Sequence, residues 1–247
     1  MSAKRVEIKL LGELEVSVGG RAQPLPASKK TRALLAYLVA TARPHLRERL
    51  CLLLWDGPDD PRAALRWSLT KIRPLLDVGA ARLAADRERV VFEPGDALVD
   101  ATLVRRALEG GVEAASTEAL RDVAARFRGE LLEGLDLPSC YRFHEWCVGE
   151  REALRALRVR ALAQLCARLD GAPEEALGYA RARVLVDPLT EAAHVDVVRL
   201  LGRLGRVREA QAQYETCRRI LESELGSKTS PALEQARREL GKGSASA

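Results

Sequence analysis

Residues 61–76 read PRAALRWSLTKIRPLL, and their spacing decides the first half of the chain. Leu65, Leu69, Ile72 and Leu76 recur at helical intervals and form one apolar face. Pro61 suits the first position of a helix, where its missing N–H is not needed. At about 100° per residue, Ala63, Trp67, Thr70 and Lys71 point away from the apolar face, and Arg62, Arg66 and Arg73 flank it. The segment is a helix with a buried back and a cationic front.

Working upstream, Asp56-Gly57-Pro58-Asp59-Asp60 breaks the pattern. A shorter helix from about Leu46 to Trp55 precedes it, with Leu46, Leu50, Leu53 and Leu54 inward. Ser28 is the N-cap of an earlier helix with an apolar stripe at Leu34, Leu35, Leu38 and Val39. Pro44 ends that helix near Ala42. Before it, Val6, Ile8 and Leu10 alternate with polar residues, as do Leu14, Val16 and Val18, with Gly12-Glu13 as the turn. Gly19-Gly20 closes the second strand, and Leu25 between two prolines predicts a brief third edge strand. Downstream, residues 82–85 and 89–93 bracket Asp86-Arg87-Glu88 as a hairpin. Short strands, three helices with the third basic, and a closing hairpin are the parts of a winged helix-turn-helix.

From Ala101 onward the text reads as helix, over 101–109, 116–127, 139–169, 172–186, 189–204, 206–225 and 230–240. Gly171 and Gly205, Glu175-Ala176 and Glu209-Ala210, and Ala180 and Tyr214 repeat in phase, about 34 residues apart as in tetratricopeptide repeats. The expected fold is mainly α with small β elements: a winged helix over 1–98, a tetratricopeptide-like helical repeat domain over 99–240, and a flexible tail over 241–247. A length of 247 residues suits two such domains.

Charge narrows the function classes. The chain holds 40 Lys and Arg against 35 Asp and Glu, a net +5. Residues 101–247 carry 23 basic and 22 acidic groups, whereas residues 28–76 carry 10 and 4, a local +6. Such a patch attracts polyanions, and a solvated basic surface has the same composition. No apolar run approaches the roughly 18–20 residues of a membrane span, and the start, MSAKRVEIKL, lacks the features of a signal peptide. Five cysteines with no Cys-x-x-Cys pair read as small apolar residues, not a disulfide framework. The chain is expected to be cytoplasmic.

Double-stranded DNA requires a helix that fits the major groove, donors on its exposed N-terminal half, and phosphate contacts around it. Arg62 and Arg66 can present bidentate donors to guanine, Thr70 can touch a base or a phosphate, and Lys71 and Arg73 suit phosphates. Trp67 suits stacking on a sugar or, equally, covering a gap between domains. Lys29, Lys30 and Arg32 at the start of the first helix, and Arg82, Arg87 and Arg89 at the wing, are further candidates. Cys140, His144 and Cys147 share a helical face, but without a fourth ligand nearby they read as a packing seam, not a zinc site. No phosphate loop, nucleophile elbow or His-Glu-x-x-His motif occurs, and His45 and His194 read as surface or packing residues. Neither catalysis nor a cofactor is expected.

The residues also resemble a known family, the SARP-type (antibiotic regulatory protein-like) bacterial transcriptional activators. These join an OmpR-type winged helix to a bacterial transcriptional activation domain (BTAD) of tetratricopeptide-like repeats. The resemblance runs from about Val6 to Leu240. In the first domain it rests on Leu10-Leu11-Gly12, Thr31 through Leu38, Arg49-Leu50 through Trp55, and Ala63-Ala64-Leu65. In the second it rests on Arg128-Gly129-Glu130-Leu131-Leu132, Trp146 with Glu150-Arg151 and Leu154, Asp187-Pro188-Leu189, Gly205-Arg206 through Tyr214, and Glu224-Leu225-Gly226 before Ser230-Pro231. It implies a transcriptional activator that binds promoter DNA, forms a homodimer, contacts RNA polymerase and has no membrane partner. Trp67 and Pro74 depart from the family pattern, and Pro74 predicts a bend or an early end to the third helix. Those departures also fit an interaction module that does not touch DNA; a third reading takes the chain as the front part of a larger signalling protein, with Lys242 to Ala247 leading into an effector domain.

Overall fold

The computed structural model describes residues 5–57 and 60–240. Pro58 and Asp59 of the predicted break, and the predicted tail over 241–247, lie outside the described residues. Among the described residues the order is β1 (Val6–Lys9), β2 (Glu15–Val18), β3 (Arg21–Ala22), α1 (Lys29–Thr41), β4 (His45–Leu46), α2 (Arg47–Leu54), α3 (Pro61–Leu76), β5 (Leu83–Ala85), β6 (Arg89–Phe92) and β7 (Leu98–Val99). Helices follow: α4 (Asp100–Ala107), α5 (Thr117–Arg126), α6 (Tyr141–Arg168), α7 (Pro173–Val186), α8 (Glu191–Arg203), α9 (Val207–Leu225) and α10 (Pro231–Leu240). Two compact units result: the described residues of Met1–Glu109 with Ala125–Leu154, and those of Gly110–Ala124 with Arg155–Ala247. The first unit thus reaches past residue 98 and takes in a later stretch of chain.

In the first unit, β1 pairs antiparallel with β2 and parallel with β7, and β2 pairs with β3, in the order β3-β2-β1-β7. The third strand is Arg21–Ala22 and not the segment around Leu25, because Gly19-Gly20 turns the chain straight back and Ser17 pairs with Ala22. A second antiparallel sheet has the order β4-β6-β5. Leu46, expected inward, is 42% exposed, since it pairs across the ladder with Arg89 before the helical turns of α2 begin.

Local signals set the helices. Ser28 caps α1, its Oγ accepting from the Thr31 N–H at 3.3 Å, and Ala42 ends it in the left-handed region. Asp60 caps α3, its carboxylate accepting from the N–H groups of Arg62 and Ala63 at 2.9 and 3.0 Å. Leu34, Leu35, Leu38, Leu50, Leu54, Leu65 and Ile72 are fully buried between the three helices. Thr31 and Ser68, both buried, share a 2.9 Å hydroxyl hydrogen bond that fixes α3 against α1. The helix does not end early at Pro74 but runs to Leu76. Both Pro74 and Thr70 lie on the exposed face, so the Thr70 carbonyl that loses its helical donor faces solvent.

The later stretch of this unit is tied by backbone. The Gly12 N–H donates to the Glu130 carbonyl at 2.7 Å, Leu132 N–H to Leu10 at 2.8 Å, and Glu133 N–H to Gly12 at 3.0 Å. Gly12 has φ +115°, and a Cβ on Gly129 would lie 3.2 Å from the Gly12 Cα, so both glycines serve this close approach. Arg151 on α6 donates to the carbonyls of Leu131 and Leu132 at 2.8 and 3.1 Å. Buried Asp100 accepts from the N–H groups of Leu10, Leu11 and Ala101. Burial pushes its carboxyl up, against the pull of those three N–H groups.

In the second unit, α8 packs against α7, α9 and α10. The 34-residue repeat has a physical basis: Ala176 and Ala210 are both fully buried, while Glu175 and Glu209 both hold arginines. Glu175 takes a bidentate pair from Arg121 at 2.7 and 3.0 Å, and Glu209 takes Arg181 at 2.9 Å and Arg206 at 2.7 Å. The five cysteines are free thiols, and burial pushes Cys166 up to about 12 and Cys217 up to about 11. Among the described residues no helix is long and apolar enough to cross a membrane.

Candidate nucleic-acid interface

The capped, back-packed α3 exposes all six of its predicted contact residues: Arg62, Arg66, Trp67, Thr70, Lys71 and Arg73. Their surroundings differ. Arg62 pairs with Glu48 at 3.2 Å, and Arg73 pairs with Asp77 at 2.9 Å. Arg66 and Lys71 meet no carboxylate at ion-pair distance among the described residues. Lys71 Nζ lies 5.4 Å from the centroid of the Trp67 ring, which is itself 52% exposed. Thr70 turns its hydroxyl onto the Arg66 carbonyl at 3.1 Å and can also accept. The N–H groups of Ala63 and Arg62 hold the Asp60 carboxyl below its usual range, with the Arg66 and Arg62 charges adding to the effect.

The wing is built the same way, by an aspartate that organises backbone. Asp86 Oδ1 accepts from the Glu88 and Arg89 N–H groups, both at 2.7 Å, and the Arg89 and Glu88 bonds lower its carboxyl. Arg47 Nε donates to the Asp86 carbonyl at 2.8 Å and ties the hairpin to the start of α2. Arg87 and Arg89 are left exposed. A groove of about 430 Å³ runs between α3 and the wing, lined by Leu46, Arg47, Glu48, Arg62, Leu65, Arg66, Arg87 and Glu88. It joins Arg62, Arg66 and Arg87 from the sequence reading with Arg47, which that reading missed. Only a tertiary contact, Arg47 to the hairpin carbonyl, marks Arg47 as part of this surface.

Other candidates fall elsewhere. Lys29 is exposed and Lys30 and Arg32 half-buried at the head of α1, outside the groove lining. Arg32 Nη2 donates weakly to the Ala27 carbonyl at 3.4 Å. Arg82 is not a wing contact. It is 3% exposed, donates to the carbonyls of Leu76 at 2.9 Å and Val78 at 2.8 Å, and pairs with Asp96. Its position at the first wing strand, directly after the loop that leaves α3, turns the guanidinium under that loop. His45 and His194 are buried packing residues: His45 Nε2 lies 2.7 Å from Thr41 Oγ1, and His194 Nε2 lies 2.9 Å from the Pro188 carbonyl. Cys140 and Cys147 are buried while His144 is exposed, so the three do not converge.

The bacterial transcriptional activator domain matches residues 95–240. The chain belongs to that family. A solved structure of EmbR from Mycobacterium tuberculosis, in complex with a low-affinity phosphopeptide, is similar in fold, with a TM-score of 0.65 and 22% identity. The likeness covers 97% of this chain and 65% of the EmbR chain. No curated protein matches the sequence. The bacterial transcriptional activator domain is a family of transcriptional regulators and not a class of enzymes, and the SARP-type resemblance holds. In this family member, the Arg128–Leu132 and Arg151 motifs meet in the backbone tie to Leu10–Gly12.

Proposed function

We propose that this transcriptional activator binds promoter DNA through its winged helix, with α3 in the major groove of the duplex and the wing against the backbone. The observation that carries the reading is Arg66: exposed, unpaired among the described residues, on the N-terminal half of α3 and lining the groove shared with Arg87. A guanidinium so placed can donate two hydrogen bonds to a guanine edge. Arg62 reaches the same edge by exchanging its exposed pair with Glu48 for DNA. Lys71, Arg73, Lys29, Lys30, Arg87 and Arg89 supply phosphate contacts, Thr70 supplies a hydroxyl, and Arg32 a weaker contact. In the helical region, the proposed partners are a second copy of the chain and RNA polymerase, and the site of action is the cytoplasm.

The interaction-module reading draws on a different observation, Trp67 at 52% exposure with Lys71 over its ring, a pairing equally suited to a protein partner. In vitro selection of duplexes followed by fluorescence anisotropy separates the two. Arg66→Ala is expected to cost about 1–3 kcal/mol on the selected site and little on random duplex. If selection enriches no sequence and Arg66→Ala binds every duplex as the wild type does, the interaction-module reading replaces the DNA-reading one.

A further inference from the structure

Beside the groove, on the other side of Leu46, lies a second cavity of about 280 Å³. Its lining joins Tyr37 from α1, Arg43, Pro44 and His45 from the turn into β4, Arg49 from α2 and Arg89 from β6, and includes no carboxylate. Arg43, Arg49 and Arg89 are exposed and meet no carboxylate at ion-pair distance among the described residues. Three guanidinium groups around one small concavity repel each other unless an anion or solvent lies between them.

The cavity wall is organised as well as charged. His45 is 7% exposed, and its ring stacks at a tilt on Tyr37, 4.8 Å between centroids. The Thr41 hydroxyl can donate to the Tyr37 carbonyl at 2.7 Å. The same hydroxyl oxygen lies 2.7 Å from His45 Nε2, a hydrogen bond whose direction follows the ring tautomer. Nδ1 has no hydrogen-bond partner among the described residues, and in the protonated ring both nitrogens are donors. Burial, with the Arg43 charge, holds the ring below its ordinary pKa.

We propose that this cavity is an oxyanion site for a phosphate group, held by the guanidinium groups of Arg43, Arg49 and Arg89 beside the His45 ring. Guanidinium forks match phosphate oxygens in geometry, and a bound dianion offsets the mutual repulsion of the three cations. The charged and titratable groups that line the cavity with His45 are Arg43, Arg49, Arg89 and the Tyr37 phenol, so a bound anion brings a negative charge that the lining lacks. It favours the imidazolium form, and anion and proton uptake reinforce each other. The phosphate can come from a duplex backbone crossing from the neighbouring groove or from a free phosphorylated small molecule. The site does not depend on α3 reading DNA.

Calorimetric titration of the full chain with pyrophosphate tests the proposal. One saturable site is expected, and the Arg49→Ala/Arg89→Ala double variant should weaken it at least about tenfold. Arg62→Ala, in the neighbouring groove, should leave it unchanged. By NMR, the His45 titration midpoint should rise in sulfate, an anion that does not itself titrate near neutrality, and stay put in the double variant. Heats that never saturate, or equal weakening by Arg62→Ala and the double variant, would overturn the site in favour of diffuse positive charge. Adding saturating selected duplex assigns the source: displaced pyrophosphate marks a backbone phosphate, and undisturbed pyrophosphate marks a free ligand. Should no duplex bind at all, the pyrophosphate and NMR arms still decide the site, separately from the DNA-binding reading.

Discussion

Two sets of cations stand apart, one bridging helices of the second unit and one along α3 and the wing of the first. In the second unit, Arg121 meets Glu175, Arg160 meets Glu113, Arg181 meets Glu209, and Arg203 meets Asp170. In the first unit, Arg66, Lys71, Arg87 and Arg89 stand along α3 and the wing with no such partner among the described residues. The difference is one of placement more than of abundance, since the residues of the second unit hold 17 basic and 15 acidic groups and net only +2, while residues 28–76 hold 10 and 4 and net +6. Cations neutralised by intramolecular carboxylates stitch helices together; cations without them keep their field for a ligand. A count of basic residues does not reveal an interface. Their pairing does.

Arg82 differs from those exposed cations in being buried, and its removal carries the largest expected effect on stability. Removing a buried guanidinium that satisfies two carbonyls and pairs with Asp96 should cost about 3 kcal/mol for Arg82→Ala. Arg87→Ala, a few residues away on the exposed wing, should stay within about 0.5 kcal/mol. Urea unfolding midpoints compare the two; equal values would put Arg82 back on the surface.

A smaller effect is expected from acid. The folded form depresses the pKa of His45, through burial and then Arg43, so the unfolded chain binds the proton more readily. The contribution to stability is present above the ordinary value of 6.5 and is lost as pH falls through the depressed folded value. The melting temperature should therefore drop on this limb, and His45→Gln should flatten the drop. An unchanged acid limb in His45→Gln would remove the ring from the account.

Smallest of all is the expected effect in the second unit. Arg206 pairs with Glu209 at 2.7 Å and Glu174 at 3.5 Å in exposed or half-exposed geometry. Solvent screens such pairs, so Arg206→Ala should move thermal stability little. A loss as large as that of Arg82→Ala would mean that the paired arginines of this unit are structural supports of a different order.

Local signals in the amino-acid sequence account for much of this architecture. Both ends of α1, the start of α3 and the later helices among the described residues follow from Ser28, Asp60, Pro61, apolar periodicity and the prolines, which act within a turn or two, whereas α3 runs past Pro74. The exposure of all six α3 residues follows from periodicity alone. What the sequence hides is long-range: β4 and β7, two residues each, exist only by pairing with distant strands, and Leu46 turns outward for that reason. The burial of Arg82, the recruitment of Arg47 to the wing, and the tie from Leu10–Gly12 to residues 130–133 have no local signature either.

The unpaired cations of the winged helix, and not the paired arginines of the helical unit, are expected to meet phosphate. The direct measurement is the slope of log affinity against log salt for duplex binding by wild type, Lys30→Ala and Arg206→Ala. Each lost phosphate contact releases fewer counterions and lowers the slope by about 0.9. Lys30→Ala should show that reduction on selected and random duplexes alike, and Arg206→Ala should leave the slope unchanged. A slope insensitive to Lys30→Ala but reduced by Arg206→Ala would contradict the account.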